Sequence, residues 1–304
     1  MSEHVERLPA QASGPSAAIT WRDYLELTKP TVVALMILTS VIGMLLATPG
    51  LPGWEVLVYG NLGIALLAGS AAVVNHVVDQ KIDTLMARTR KRPVATGKIA
   101  PLEALVFATV LAIAGMMILL WQVNALTAWL TLASLVGYAG VYTLFLKRMT
   151  PQNIVIGGLA GAMPPLLGWT AVTGQVDGHA LLLVLIIFAW TPPHFWALAI
   201  HRKEEYAKAG IPMLPVTHGN RYTELHILLY TLILFAVSLL PFVTGMSGVI
   251  YLAGALALGL RFLQYSVRLL RGDDRRVALA TFKYSITYLM ALFVVLLVDH
   301  FVFF

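Results

Sequence analysis

Residues 75–97 read NHVVDQKIDTLMARTRKRPVATG, and an apolar run, GIALLAGSAAVV at 63–74, leads straight into them. Asn75, Asp79 and Asp83 are spaced by four. At about 100° per residue that spacing drifts by only about 40° per step, so the three side chains share one face of a continuing helix. Two carboxylates one turn apart repel each other, and the negative end of the helix dipole worsens the placement. A cation between them removes the conflict. Arg88, Arg90, Lys91 and Arg92 follow at once, stopped by Pro93 and turned at Gly97. The acids suit a hard cation that keeps its waters and bridges to phosphate oxygens, as magnesium does. The guanidinium groups suit the phosphate directly, through bidentate hydrogen bonds. The stretch reads as a diphosphate site; the competing reading is a solvated loop at the end of a membrane helix.

Working outward, the chain of 304 residues is 59% hydrophobic and 12% charged, the composition of a polytopic membrane protein and not of a soluble enzyme. It has no cysteine, which excludes disulfides, thiolate nucleophiles and thiolate metal sites. The net charge of +6 bears on topology and anionic lipid, not on nucleic acid. Residues 1–18 are polar, lack an apolar stretch and are poor in arginine, so they read as a disordered tail and not as a signal or transit peptide. Residues 19–304 form one membrane domain. Nine hydrophobic segments are expected, at 31–48, 56–78, 102–121, 125–146, 153–172, 179–200, 222–244, 247–267 and 279–303. Each is near the roughly 20 residues that cross a bilayer as a helix. The fold class is all-α, because strand-like alternation is absent. With the N-terminus inside, the external connections near 49–55, 122–124, 173–178 and 245–246 contain no Lys or Arg. The positive-inside rule is then obeyed throughout and the C-terminus lies outside.

Residues 21–27 suit an interfacial helix, with Trp21 and Lys29 as headgroup anchors. Tyr138 and Tyr142 read as belt residues, and Lys147 and Arg148 either as topology charges or as members of the phosphate pocket. Gly157 and Gly161 form a small-residue face for close helix packing. Pro164-Pro165 and Pro192-Pro193 are expected to interrupt helices within the membrane. His194, His201 and Glu205 are spaced by seven and four, within about 20° of one face. Arg202 and Lys203 follow His201, so this end repeats the pairing of acids with bases. An ionisable residue within a span is a functional candidate by default. Lys283 reads as a snorkelling residue and Asp299 and His300 as interfacial.

The strings at 75–97, at 142–169 (YTLFLKRMTPQNIVIGGLAGAMPPLLGW) and at 191–216 (TPPHFWALAIHRKEEYAKAGIPMLPV) resemble the UbiA-type intramembrane prenyltransferase superfamily. Within it they most resemble the family of protoheme IX farnesyltransferases, or heme O synthases, and Lys29-Pro30 extends the likeness to the first helix. The resemblance implies a nine-helix bundle around a central cavity open to lipid, in a bacterial plasma membrane. It implies transfer of farnesyl from farnesyl diphosphate to a vinyl group of heme B, with water addition, giving heme O. It assigns magnesium and diphosphate to Asn75, Asp79 and Asp83, with Asp79 and Asp83 as metal ligands. Arg88, Arg92, Lys147, Arg148 and Arg202 become phosphate partners and Glu205 the acid of a second motif. His194 becomes a heme contact. The superfamily pattern has an aspartate where this chain has His201, which favours the heme enzymes over quinone-type relatives. Heme A synthase or oxidase assembly proteins are implied as partners. The alternatives are a prenyltransferase for an aromatic quinone precursor, a transporter, and a heme-carrying electron-transfer protein. The acids sit at the membrane edge and not at the midplane, which argues against transport.

Overall fold

The computed structural model describes residues 18–87, 89–146, 149–272 and 275–303; the expected tail lies almost wholly outside them. The described residues contain helices and no strand, as a backbone that must satisfy itself in lipid requires. Helix α1 (Trp21–Leu27) bends by 55° into α2 (Pro30–Leu46). α3 (Val56–Val78) opens with a π-helical turn and leads into the single turn of α4 (Gln80–Asp83). α5 (Pro101–Gln122) and α6 (Ala125–Val136) meet at Asn124, whose side chain accepts from the Thr127 amide at 2.8 Å and caps α6. The chain continues as a π-helix over Gly137–Leu146. α7 (Asn153–Ala162) and α8 (Pro164–Thr173) are one span interrupted at Met163. α9 (Gly178–His201), α10 (Lys203–Lys208) and α11 (Leu214–Thr217) precede three long helices, α12 (Gly219–Val243), α13 (Val249–Arg271) and α14 (Arg275–Phe303).

Among the described residues seven helices are long and apolar enough to cross a membrane, and the bent α1–α2 pair makes up to eight. The segment expected at 125–146 is a shorter apolar helix prolonged by the π-helical turns. The protein is a multi-pass membrane protein; among the described residues the nine expected segments fall on helices, of which seven, or eight with the bent pair, are long and apolar enough to cross.

The bundle is held by α3 against α5, α2 against α8, and a four-helix group of α9, α12, α13 and α14; α14 returns to touch α2. The α2–α8 crossing is backbone on backbone. A Cβ on Gly43 would lie 2.1 Å from the Pro165 carbonyl oxygen, and one on Gly168 would lie 2.0 Å from that of Ser40. The largest buried cluster joins Trp169 of α8, Leu183 and Ile187 of α9, Phe262 of α13 and Phe293 of α14.

Four expectations change. Pro192 and Pro193 do not end α9, which runs through both. Gly161 faces open space, whereas Gly157 seats the Tyr142 ring and Gly158 seats Thr191. Asp299 and His300 are buried against neighbouring elements and not exposed at the helix end. Asp299 accepts from the amides of Gly248 and, at 2.9 Å, Tyr251, so the last helix caps α13; His300 Nε2 lies 3.0 Å from the Thr48 carbonyl oxygen. Lys29 does not anchor at headgroups: its side chain turns inward to Asn75.

Candidate active site

The i, i+4 spacing survives the junction between α3 and α4. The Asp79 amide donates to the Asn75 carbonyl at 2.9 Å and the Asp83 amide to that of Asp79 at 2.8 Å. Asn75, Asp79 and Asp83 therefore stay in register, and they are buried at 4%, 3% and 4% exposure. Burying two carboxylates one turn apart demands compensation. Lys29 Nζ donates to Asn75 Oδ1, and Asn75 Nδ2 donates to Asp79 Oδ2 at 2.9 Å. Arg92 Nη1 donates to both oxygens of Asp83, at 2.9 and 2.7 Å. The basic loop folds back over the acids because Thr89 donates to the Asp83 carbonyl at 3.1 Å and Gln80 to that of Val94 at 3.1 Å.

An amide oxygen and two carboxylates are the donor set of a hard cation. Asp83 is closed by Arg92, and nowhere among the described residues do three or more His, Asp or Glu side chains converge. Glu205 and His201 thus do not join Asp79 and Asp83 in one cluster. The donors fit a hard divalent cation once Arg92 releases Asp83 and Lys29 releases Asn75, and a diphosphate is the group that can draw both away.

The second stretch approaches the first at the same end of the bundle. Met86 of the basic loop packs in one cluster with Trp196 and Ile200 of α9, Ile211 and Leu214. The expected common face of His194, His201 and Glu205 is broken at Arg202 (φ −107°, ψ 22°), which places Glu205 on the separate helix α10. His201 is half-buried, with Nδ1 lacking a hydrogen-bond partner. His194 is buried, stacked on Trp190 with centroids 4.1 Å apart and flanked by Phe282 at 4.6 Å. Its Nδ1 is 2.7 Å from Ser285 Oγ, whose proton goes to the Phe282 carbonyl at 2.6 Å. Ser285 must then accept, so His194 carries its proton on Nδ1 and keeps the Nε2 lone pair. A fixed partner on one ring nitrogen is how proteins orient the other for a metal.

Sequence reasoning missed three groups. Lys29 is one: it holds φ 52°, the one positive φ outside glycine among the described residues, and strain of this kind gathers at functional sites. The Tyr138–Tyr142 stack, with centroids 5.5 Å apart, is another; both rings lie in electrostatic reach of Asp79. The π-helix that carries them widens the turn, as the bond from Thr143 Oγ1 to the Tyr138 carbonyl five residues back shows. The third is His76, 2% exposed, with both ring nitrogens unpartnered beside the charges of Lys29 and Arg92. Arg88, Lys147 and Arg148 lie outside the described residues.

The UbiA prenyltransferase family model matches residues 36–296. A Marinobacter nauticus protein named protoheme IX farnesyltransferase is 87% identical over 299 residues, covering 98% of this chain and 99% of its own. A Hahella chejuensis protein of the same name is 70% identical, covering 94% and 96%. Among solved structures, one from a study of digeranylgeranylglyceryl phosphate synthase superposes with a TM-score of 0.79 at 19% identity, over 92% of this chain and 98% of that one. A UbiA homologue from Archaeoglobus fulgidus bound to GPP and Mg2+ gives 0.61 at 16% identity, over 90% and 99%. These distant structures share the fold, and the family match together with the near relatives decides membership: the chain belongs to the UbiA prenyltransferase family.

Proposed function

We propose that the protein is an intramembrane prenyltransferase that joins the farnesyl group of farnesyl diphosphate to a vinyl group of heme B, with addition of water, to make heme O. The observation that carries this reading is the buried Asn75–Asp79–Asp83 ladder backed by Lys29 and Arg92. It suits a diphosphate headgroup whose hydrocarbon tail stays in an apolar bundle. The name shared by the near relatives supports heme as the acceptor. The protein works in a bacterial plasma membrane, with the N-terminus cytoplasmic and the C-terminus periplasmic, as the placement of its basic residues supports.

Asp79 and Asp83, with Asn75 beside them, would hold magnesium, which would supply charge stabilisation to the diphosphate. Arg92 trades Asp83 for a phosphate oxygen, and Lys29 trades Asn75 for another. Both cations are already in place, so negative charge developing on the leaving group meets fixed donors. Arg202 is assigned to the diphosphate as a further cation, as the likeness implies for Arg88, Lys147 and Arg148, and His201 and Glu205, at the end of α9 and on α10, are assigned to the second motif. As the bond from the farnesyl carbon to the diphosphate oxygen breaks, the heme vinyl group attacks that carbon. The cation left beside the porphyrin takes a water oxygen and releases one proton. No protein nucleophile is required. His194, with Nε2 free of its proton, is the candidate ligand for the heme iron.

Mass spectrometry of hemes extracted from cells with and without the protein tests the reading. Heme O should appear only with it; unchanged hemes, or prenylation of a hydroxybenzoate or naphthoate instead, would overturn it. In heavy-oxygen water the product should carry the label, and under heavy-oxygen gas it should not.

A further inference from the structure

The outer face of α13 carries a row of polar side chains that prenyl transfer does not use. Arg261, Gln264, Arg268 and Arg271 are all exposed. They are spaced by three, four and three, so they share one helix face. α13 holds no Asp or Glu, and the single acid of α14 is Asp299, buried at its far end. Topology alone accounts for Arg268 and Arg271 in the last turn of α13. It does not account for Arg261. The interval from 261 to 271 covers about 15 Å at about 1.5 Å per residue, half of a hydrocarbon core of about 30 Å. A guanidinium that faces lipid at that depth is costly unless it is partnered.

Local contacts hold Arg261 in the row. Its Nη1 donates to Gln264 Oε1 at 3.0 Å, and its Cζ lies 5.2 Å from the centre of the Tyr265 ring. Tyr265 is stacked in turn on Tyr284 of α14, with centroids 4.8 Å apart. The guanidinium can only donate, so Gln264 gives it the amide oxygen and keeps its amide hydrogens for another acceptor. Arg221 of α12 is already engaged, at the Leu270 carbonyl and 3.8 Å from Glu224. Arg268 and Arg271 have no carboxylate at ion-pair distance among the described residues. A groove of about 400 Å³ is lined by Arg268, Arg271 and Gln264 together with Leu260, Leu263 and Val267.

We propose that this face of α13 is a binding site for one anionic phospholipid of the phosphatidylglycerol class. The order of chemistry along the helix is the order along such a lipid. The phosphate meets Arg268 and Arg271 near the membrane surface, where basic residues recognise anionic headgroups. The ester carbonyls meet the Gln264 amide and Arg261 beneath. One acyl chain lies over Leu260, Leu263 and Val267. A choline headgroup fits less well, because it brings a cation of its own to two arginines. A second copy of this chain also fits less well, because a two-fold axis would set the same arginines against each other. The site serves whichever acceptor the active site takes.

The test is native mass spectrometry of the full-length protein, stripped of lipid in detergent and titrated with dioleoylphosphatidylglycerol or dioleoylphosphatidylcholine. The wild type should hold one phosphatidylglycerol about twentyfold more tightly than phosphatidylcholine, at about fivefold for each of two guanidinium groups. Arg268→Gln with Arg271→Gln should erase that preference. Arg268→Lys with Arg271→Lys should keep most of it and so report a folded protein. Leu263→Trp, which fills the groove and leaves every charge in place, should weaken the binding of both lipids. Arg22→Gln, which removes an exposed arginine from α1, should change nothing. Equal affinity of the wild type for the two lipids would overturn the site. So would an equal loss in Arg22→Gln, the mark of a general pull on anionic lipid. A lipid-free dimer that Arg268→Gln and Arg271→Gln break apart would also overturn it, because the face would then belong to a second copy.

Discussion

Replacing Arg92 with alanine should unfold the protein more readily than its surface position in sequence suggests. Its side chain is 15% exposed and that of Asp83 6%, with nitrogen and oxygen 2.7 Å apart. Unit charges about 4 Å apart at an effective dielectric of about 20 attract by about 4 kcal/mol. Desolvation offsets part of that in the intact pair, but deletion of one partner leaves the other charge buried and alone, at about 3–5 kcal/mol. Arg92→Ala should therefore cost about 3–5 kcal/mol. The double variant with Asp83→Asn should recover much of it, because no lone charge is left behind. The assay is reversible unfolding in mixed micelles, run as a double-mutant cycle, with the coupling read as the departure from additivity. A loss below about 1 kcal/mol, the value of an exposed pair, or strict additivity of the two changes, would refute the burial of this pair. So would an equal loss in Arg90→Ala.

Lys29→Ala should lower prenyl transfer by about tenfold or more, since the cation facing Asn75 is lost. Lys29→Gly should be as inactive yet more stable than Lys29→Ala by up to about 1 kcal/mol, because glycine accepts the positive φ; equal stabilities would contradict the strain. Gly43→Ala and Gly168→Ala should each cost about 1–3 kcal/mol or prevent folding, because the new methyl meets a carbonyl oxygen, whereas Gly161→Ala should be tolerated in the same thermal-shift assay. Asp23 is held down to about 2 from 3.8, first by its hydrogen bond from Lys98 and then by those from Thr20. A lowered folded-state value means that its contribution is complete above about pH 4 and is lost as pH falls towards 2. Asp23→Asn should abolish that part of the acid sensitivity, and an unchanged pH profile would count against the Lys98 contact. Single cysteines placed at Ala87 and Gly272 should label from inside only and one at Gln175 from outside only; the reverse pattern would invert the topology.

Local spacing was legible and long-range pairing was not. The ladder of Asn75, Asp79 and Asp83 follows from a four-residue period that backbone hydrogen bonds enforce, so its register could be read before any packing was known. Lys29 could not be assigned to it, because the two lie 46 residues apart and a positive φ leaves no mark on a lysine. Among four clustered basic residues nothing local singles out Arg92 for Asp83. His201 and Glu205 keep a helical spacing, but the chain leaves the helix at Arg202, which has no breaker residue to announce it. The two proline pairs read alike, yet one sits at a helix start and the other inside a helix, a difference fixed by the neighbouring spans. The spans themselves were plain, because roughly 20 apolar residues admit few other fates in a bilayer.

The contacts of Asp299 and His300 also set an order of assembly. The first amides of α13 find their acceptor on α14, and the seam between α14 and α2 is pinned by His300 at Thr48. Neither connection can form before α14 has been made. Until then α13 enters the bilayer with bare amides, and the ring of helices stands open along one side.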